Sequence, residues 1–330
     1  MADFRHLAGS SVKRTAVLAI GVLAIQLMFI FSYVGGLGRP YPHGLPIAIV
    51  GPAPIQRAII STVESRGAAF HPHAYPTDGS AITAIERHRV DAAVLIGMQK
   101  DQLVIAGAPS PAVGQVVEKA FGSLEARAHR PYSIRTVVPL SPNDPEGLAP
   151  FYLIVGWVVG GYLVASLIGL ARGTEPSLRF AAFRLGALAA FAVVSGLAGV
   201  ALAGPGMNLF GGNRLAEAGV GGLVVFGVAA ITTAFQVVIG ELGIVLAILL
   251  FVVLGNPSSG GPYPRELLNG VWRTIGAYIP NGAGLDAERN IAYFGSHAIT
   301  PAIIVLGAYG AVGIGITLGM SWAREARRQR

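Results

Sequence analysis

Few residues in this chain are of types that do chemistry, and their spacing narrows what they could do. His71 and His73 flank a proline with Asp78 close behind. Two apart on an extended segment they share a face, as a pair of metal ligands would, but no third and fourth ligand follows. The segment therefore reads as a surface loop, with no metal assigned. Glu64, Asp78, Glu86 and Asp91 are spaced like solvated helix faces and turns. Gly51-Pro-Ala-Pro is not a phosphate loop, and no Gly-x-x-x-x-Gly-Lys-Ser/Thr run occurs anywhere, so the chain carries no recognisable ATPase motor. There is no cysteine, which excludes disulfides and thiolate metal sites. No nucleophile beside a base and no working pair of carboxylates is present. The chain is not read as an enzyme, and no catalytic residue or cofactor is expected.

The other polar candidates lie inside apolar stretches: Gln26, Ser166, Ser195, Thr232, Thr233, Gln236 and Glu241. An acid at membrane depth is a functional candidate by default. Glu241 falls at a turn between two apolar runs, where it could also cap the second of them. The stretches that hold these residues define the class. Only 12% of residues are charged, against about 25% in soluble domains. A helix crosses a bilayer with about 20 apolar residues, and six stretches qualify: Thr15–Leu37, 150–171, 184–204, 215–235, 241–255 and 297–322. The fourth and fifth could form one long helix of about 60 Å; two helices joined by a turn near residues 236–240 suit a bilayer better. The first is too long for the apolar core of a signal peptide and has no Ala-x-Ala site after it, so it reads as a retained anchor.

Charge orients the spans. With the N-terminus inside, the inner segments hold Arg5, Lys13, Arg14, Arg172, Arg179, Arg184, Arg324, Arg327, Arg328 and Arg330. The short outer loops hold Arg214, Arg265, Arg273 and Arg289, offset by Glu217, Glu266, Asp286 and Glu288. This is the positive-inside pattern. It accounts for the net charge of +7 without a nucleic-acid partner. Both termini are expected in the cytoplasm, the tail 323–330 being basic.

Residues 38–149 are enough for a small domain outside the membrane. Strands are expected at 47–51, 91–97, 102–106 and 132–138, and helices at 54–66, 80–88 and 111–128, with Asp78 or Ser80 as the cap of the second. Strands alternating with helices imply an α/β layer structure. The fold class is therefore a polytopic α-helical membrane protein of six spans, with a small α/β extracytoplasmic domain inserted between the first and second.

Two loops stand out. Residues 172–184 form the main inner loop, where residues from Pro176 could form a short amphipathic helix bearing Phe180, Phe183 and Arg179. It would lie on the membrane, dock a partner, or serve only as a positive anchor. Residues 256–296 form an outer loop whose stretch 267–279, with Trp272 and Tyr278, is too short to span and suits an interfacial or re-entrant helix. Pro280-Asn-Gly-Ala-Gly then reads as a turn. Gly307, Ala311, Gly315 and Gly319 share a face of the last span, and Gly156 and Gly160 a face of the second. Small residues four apart allow close helix approach, either inside the bundle or in a homodimer seam.

The whole pattern resembles the ABC-2-type membrane proteins, the permeases of type V ABC exporters, and within them the YhgE/Pip-like family. The resemblance rests on Leu45-Pro-Ile-Ala-Ile-Val50 after the anchor, the helix-then-strand at 84–96, Asp144-Pro-Glu-Gly147 entering the second span, Asn256-Pro-Ser-Ser-Gly-Gly-Pro262 and Ile279-Pro-Asn-Gly-Ala283. Gly51-Pro-Ala departs from the Asn-x-Asp that often follows the first strand in relatives. The resemblance implies a permease half in a bacterial plasma membrane that dimerises and exports a lipid or other hydrophobic compound with a separate ATP-binding subunit. Residues 172–184, with Arg172, Arg179, Phe180, Phe183 and Arg184, would couple to that subunit. Residues 1–14 would form an amphipathic connecting helix. The five-span unit 150–322 would carry the substrate path and outer gate, with Gln236, Glu241, Trp272 and Tyr278 as candidate residues. The rival reading is a receptor, scaffold or cell-envelope assembly protein that acts through its outer domain.

Overall fold

The computed structural model describes residues 2–108, 110–207, 209 and 212–329; of residues 2–14 and 125–128 it describes the backbone alone. The chain opens with α1 (Ala2–Leu37), a single helix with no break between residues 2–14 and the apolar stretch. Met1 and Arg330, at the ends of the expected connecting helix and basic tail, lie outside the described residues.

Alternation of apolar side chains builds the sheet. β1 (Leu45–Val50), β2 (Phe70–Ala74), β3 (Ala92–Leu95), β4 (Asp101–Ala106) and β5 (Tyr132–Val137) form one five-stranded sheet in the order β2-β1-β3-β4-β5. β1 runs parallel to β2 and to β3, β3 is antiparallel to β4, and β4 is parallel to β5. Side chains two apart share a face. Ile47, Ile49, Val94, Leu103 and Ile105 pack under α2 (Ala53–Ser65) and α4 (Pro111–Ala128). Ala48, Val50, Ala93, Leu95 and Val104 pack on the other face under α3 (Asp78–Glu86). β2 replaces the loop expected at His71 and His73. It is an edge strand, where a proline is tolerated, and the buried Pro72 stands opposite Ile47. The two exposed imidazoles lie 4.5 Å apart, ring centre to ring centre. The cap of α3 is Thr77, not Asp78 or Ser80; its hydroxyl accepts from Ser80 N at 3.2 Å and the Ser80 hydroxyl accepts in return.

Among the described residues, five helices are long and apolar enough to cross a membrane: Thr15–Leu37 within α1, α5 (Ala149–Arg172), α6 (Leu178–Ala201, running on as a π-helical turn to Gly206), α7 (Arg214–Ile239) and α12 (Thr300–Arg328). The expected fifth span is shorter. Leu242–Ser258 contains α8 (Leu242–Ile248), a π-helical stretch (Leu249–Leu254) and α9 (Gly255–Ser258). α7 is the centre of the bundle, its apolar window 67% buried against 6% for α1. Glycines set its close contacts. Gly161 of α5 sits on the Val225 carbonyl, Gly196 of α6 on Ala218 and Gly222, and Gly313 of α12 on Ala230. A methyl group at any of these would collide with backbone. The inner packing of α12 therefore uses Gly310 and Gly313, while Gly307, Gly315 and Gly319 have nothing within 4 Å. The stripe read as internal packing or seam faces away from α7. Gly156 is likewise open, and Gly160 only touches Phe191.

Asp144 begins the bundle. Its carboxylate accepts from Leu148 N at 3.0 Å and Ala149 N at 2.9 Å, satisfying two donors at the start of α5 where a negative charge is favoured. Residues 256–296, read as an outer loop, contain a pair of helices, α10 (Gly270–Tyr278) and α11 (Pro280–Tyr293). The expected turn at Pro280 is in fact the first turn of α11. Its glycines serve approach: a Cβ at Gly282 would strike the Gly276 carbonyl, and one at Gly284 would reach Val224 and Ile154.

Candidate functional site

The nine residues expected to act fall in three places. The first is the α5–α6 turn. No separate amphipathic helix forms there, because Ser177 caps Leu178–Ala201 directly, accepting from Phe180 N at 3.3 Å. Arg179, Phe180 and Phe183 thus ride on the first turns of a spanning helix. An apolar groove of about 410 Å³ is lined by Leu167, Ile168, Arg172, Phe180, Phe183 and Arg184. Phe183 is 70% exposed and its ring faces that of Phe180, 6.2 Å away. The turn is held from behind by α12. Glu325 accepts from Leu178 N at 2.9 Å, and Glu175 lies 3.9 Å from Arg324 and 3.8 Å from Arg328.

Arg184 is a correction. It was expected at the surface with its neighbours, yet it is 1% exposed. Its Nη2 donates to the Ala165 carbonyl at 2.7 Å and to Gln236 Oε1 at 2.5 Å. Gln236 is equally buried and donates to the Ser166 carbonyl at 3.4 Å. One guanidinium therefore ties α5, α6 and α7 together. Arg184 follows Phe180 by four positions, so the half-buried ring and the buried cation stand one helical turn apart on the same helix. Gln236, expected on the substrate path, is the partner in this tie. Glu241 is exposed at the N-cap position of α8 and makes no capping bond.

The third place is the α9–α11 plug. Trp272 is 9% exposed; its indole Nε1 donates to Ser32 Oγ at 3.1 Å and its ring lies on Gly35 and Gly36 of α1. Tyr278, by contrast, is exposed. Around Trp272 the segment binds both halves of the molecule. Asn269 donates to Gly35 O at 2.8 Å, Tyr41 N donates to Leu267 O at 3.0 Å, and the Leu267 side chain sits in the core under the sheet. Asn256 and Asn281 join at 2.8 Å, and Arg289 donates to the carbonyls of Gly260 and Gly261, both at 2.7 Å. The motif at 256–262 is thus a buried polar knot. His88, at the end of α3, meets Asn290 Oδ1 at 2.9 Å and stacks on Phe294 at 4.1 Å.

Sequence reasoning missed a buried acid in this plug. Glu288 is fully buried, and neither carboxyl oxygen has a hydrogen-bond partner among the described residues. Glu217 of α7, itself 1% exposed, faces it. The neighbouring Arg289 points instead to its two carbonyls, while Arg214 acts on Glu217 and not on Glu288. Burial first, and Glu217 second, push the Glu288 carboxyl well above the ordinary 4.5. A raised folded value means that the folded chain holds a proton the unfolded chain gives up. Stability from this group is whole below the unfolded value and is lost as pH rises through the folded one. Stability should therefore fall as pH rises above the unfolded value near 4.5, by up to about 1.4 kcal/mol per pH unit, and the melting temperature with it. Glu288→Gln should flatten that profile. An identical slope in the variant would assign the dependence to other groups. The only sequence signal was an acid among the apolar and small residues of 280–293.

No family model matches this chain, and no curated protein or solved structure does.

Proposed function

We propose that the chain is the permease half of an ATP-driven exporter, moving a lipid or another hydrophobic compound outward with a separate ATP-binding subunit. In this reading the sheet lies outside a bacterial plasma membrane, both termini are cytoplasmic, and Leu242–Ser258 is a sixth, short crossing. The observation that carries it is the Phe180–Phe183 pair, Phe183 exposed and Phe180 half-buried, in a groove edged by Arg172 and next to the buried Arg184 tie. A partner pressing on those rings moves α6, and through Arg184 it moves α5 and α7. Glu175, Arg324, Arg328 and Glu325 brace the turn against α12. Two copies would meet along small-residue faces such as Gly307, Ala311, Gly315 and Gly319, which the bundle leaves open.

The test begins with affinity purification of the tagged chain in nanodiscs. A stoichiometric ATPase subunit is expected. In that complex Phe180→Asp with Phe183→Asp should cut substrate-stimulated ATP hydrolysis about 5- to 150-fold, the span of ordinary coupling energies, with the melting temperature unchanged. A preparation free of any ATPase, or unchanged stimulation in the double variant, would sink the reading and favour a receptor or scaffold acting through the sheet.

A further inference from the structure

An apolar cavity of about 630 Å³ opens between α2 and α4 on one face of the sheet. Its position follows from topology. The chain leaves β1 for β2 through α2 on one face, then returns through α3 on the other face to lay β3 on the opposite side of β1. In open α/β sheets such a reversal leaves a crevice at the carboxyl ends of the strands, and ligands bind there. Here Ile96, just after β3, lines the cavity, and Gly51 at the end of β1 lies against Ile96. A Cβ at Gly51 would come within 2.9 Å of Ile96, so the glycine is what lets the two strand ends approach.

The walls decide the ligand. α2 turns Ile55, Ala58, Ile59 and Thr62 toward the cavity, at the i, i+3, i+4, i+7 spacing of an apolar stripe. In an ordinary layer that stripe would be covered by the next helix. Here only Val63 of α2 is fully buried, and Phe121 and Leu124 of α4 stand across a gap. Gln56 holds α2 in this place from the other side, donating to Ile49 O at 2.7 Å and Tyr75 O at 2.9 Å. Water filling such a gap would find almost no hydrogen-bonding partner. The polar contribution sits at the rim, where Arg130 meets Asp101 through Nε at 2.8 Å and Nη2 at 2.6 Å and also donates to Gly97 O at 2.7 Å. That pair is neutral overall. The volume lies within the range of about 300–1,000 Å³ usual for small-molecule sites.

We infer that this cavity binds the hydrocarbon chain of an amphiphile, with the chain between α2 and α4 and the polar end at the Arg130–Asp101 rim. A mostly apolar slot with one neutral polar edge suits an acyl chain. The membrane helices beside the sheet place such chains within reach, because Leu267 and Tyr263 of the plug pack into the same core as the cavity floor. The inference does not rest on the transport reading: binding needs no ATPase, so its failure and the failure of coupling at Phe183 are separate results.

The probe is dansyl-labelled undecanoic acid, titrated against the full chain in amphipol. Saturable binding to one site is expected, displaced by unlabelled decanoate. Ala58→Trp, which fills the slot from the exposed side of α2, should weaken it at least about tenfold, a loss of about 1.4 kcal/mol, with the melting temperature unchanged. Thr62→Trp serves as the second filling variant should Ala58→Trp unfold. Displacement by phosphatidylglycerol vesicles as well as by decanoate would assign the chain to a membrane lipid; displacement by decanoate alone would assign it to a free fatty acid. No saturable binding, full binding in both folded tryptophan variants, or displacement by dansyl amide but not by decanoate would overturn the inference.

Discussion

Replacing Trp272 with alanine should destabilise the folded chain by about 3–5 kcal/mol, the cost of emptying a buried tryptophan site, and should free the end of α1 nearest the sheet. Most of Thr15–Leu37 is exposed, and what holds that stretch lies in its last two turns. There the indole covers Gly35 and Gly36 with ring atoms 2.7 Å and 2.9 Å from where a Cβ would stand, donates to Ser32, and lies 5.8 Å from the Phe31 ring. Ser32 is itself 1% exposed, so losing the indole leaves its hydroxyl buried without that partner. Two readouts check the result: the melting temperature in nanodiscs, and hydrogen exchange of the backbone amides of residues 31–37, which should accelerate as the joint loosens. Unchanged values of both would mean that α1 is held by the bilayer alone. Trp272→Phe should recover part of the packing without the hydrogen bond.

The second large effect lies at the other end of the bundle. Gln236→Leu should cost about 2–5 kcal/mol, because it strips the side-chain acceptor from a buried guanidinium. Adding Arg184→Met should recover most of that loss, since an apolar side chain of similar length needs no partner and a cation at membrane depth is expensive. The two changes are thus strongly non-additive, as expected of groups in direct contact. Unfolding of the singles and the double in detergent measures the coupling. Simple additivity would show that Arg184 is satisfied by the Ala165 carbonyl alone. Gly169 belongs to the same cluster, since a Cβ there would come within 2.7 Å of Gln236 Oε1. Gly169→Ala should therefore behave as a mild version of Gln236→Leu.

Local signals were legible in the sequence, and long-range pairings were not. β1, β3 and β4 showed as short apolar runs, α4 as a helix starting at a proline, and α1, α5, α6, α7 and α12 as long runs without charge. β2 was hidden because the alternation of Phe-His-Pro-His-Ala is only five residues long and is centred on a proline; its strand conformation comes from pairing with β1. The start of α11 was hidden because Pro-Asn-Gly-Ala-Gly has the composition of a turn. Its glycines are there to pass the α10 backbone and α7, which only the packed structure reveals. Arg184 misled because it closes a run of surface residues in the sequence, while the helical period turns it inward, one turn beyond Phe180. Its partner Gln236 is 52 residues away, and nothing local marks that distance. Trp272 was legible as an interfacial aromatic but not as the clasp on Gly35 and Gly36.

If the short helix Leu242–Ser258 is the sixth crossing proposed above, its length matters for the lipid around it. Its 17 residues reach about 25 Å at 1.5 Å each, and the π-helical stretch in its middle adds no length. The hydrocarbon layer is about 30 Å thick, and its neighbour α7, with 26 residues, has length to spare. As the sixth crossing of the proposed reading, it would draw the two leaflets toward each other on the side where it faces lipid, because thinning by a few ångströms costs only a fraction of a kcal/mol per ångström. The protein would thereby carry its own weak spot in the bilayer, a place where a headgroup has the least hydrocarbon to cross.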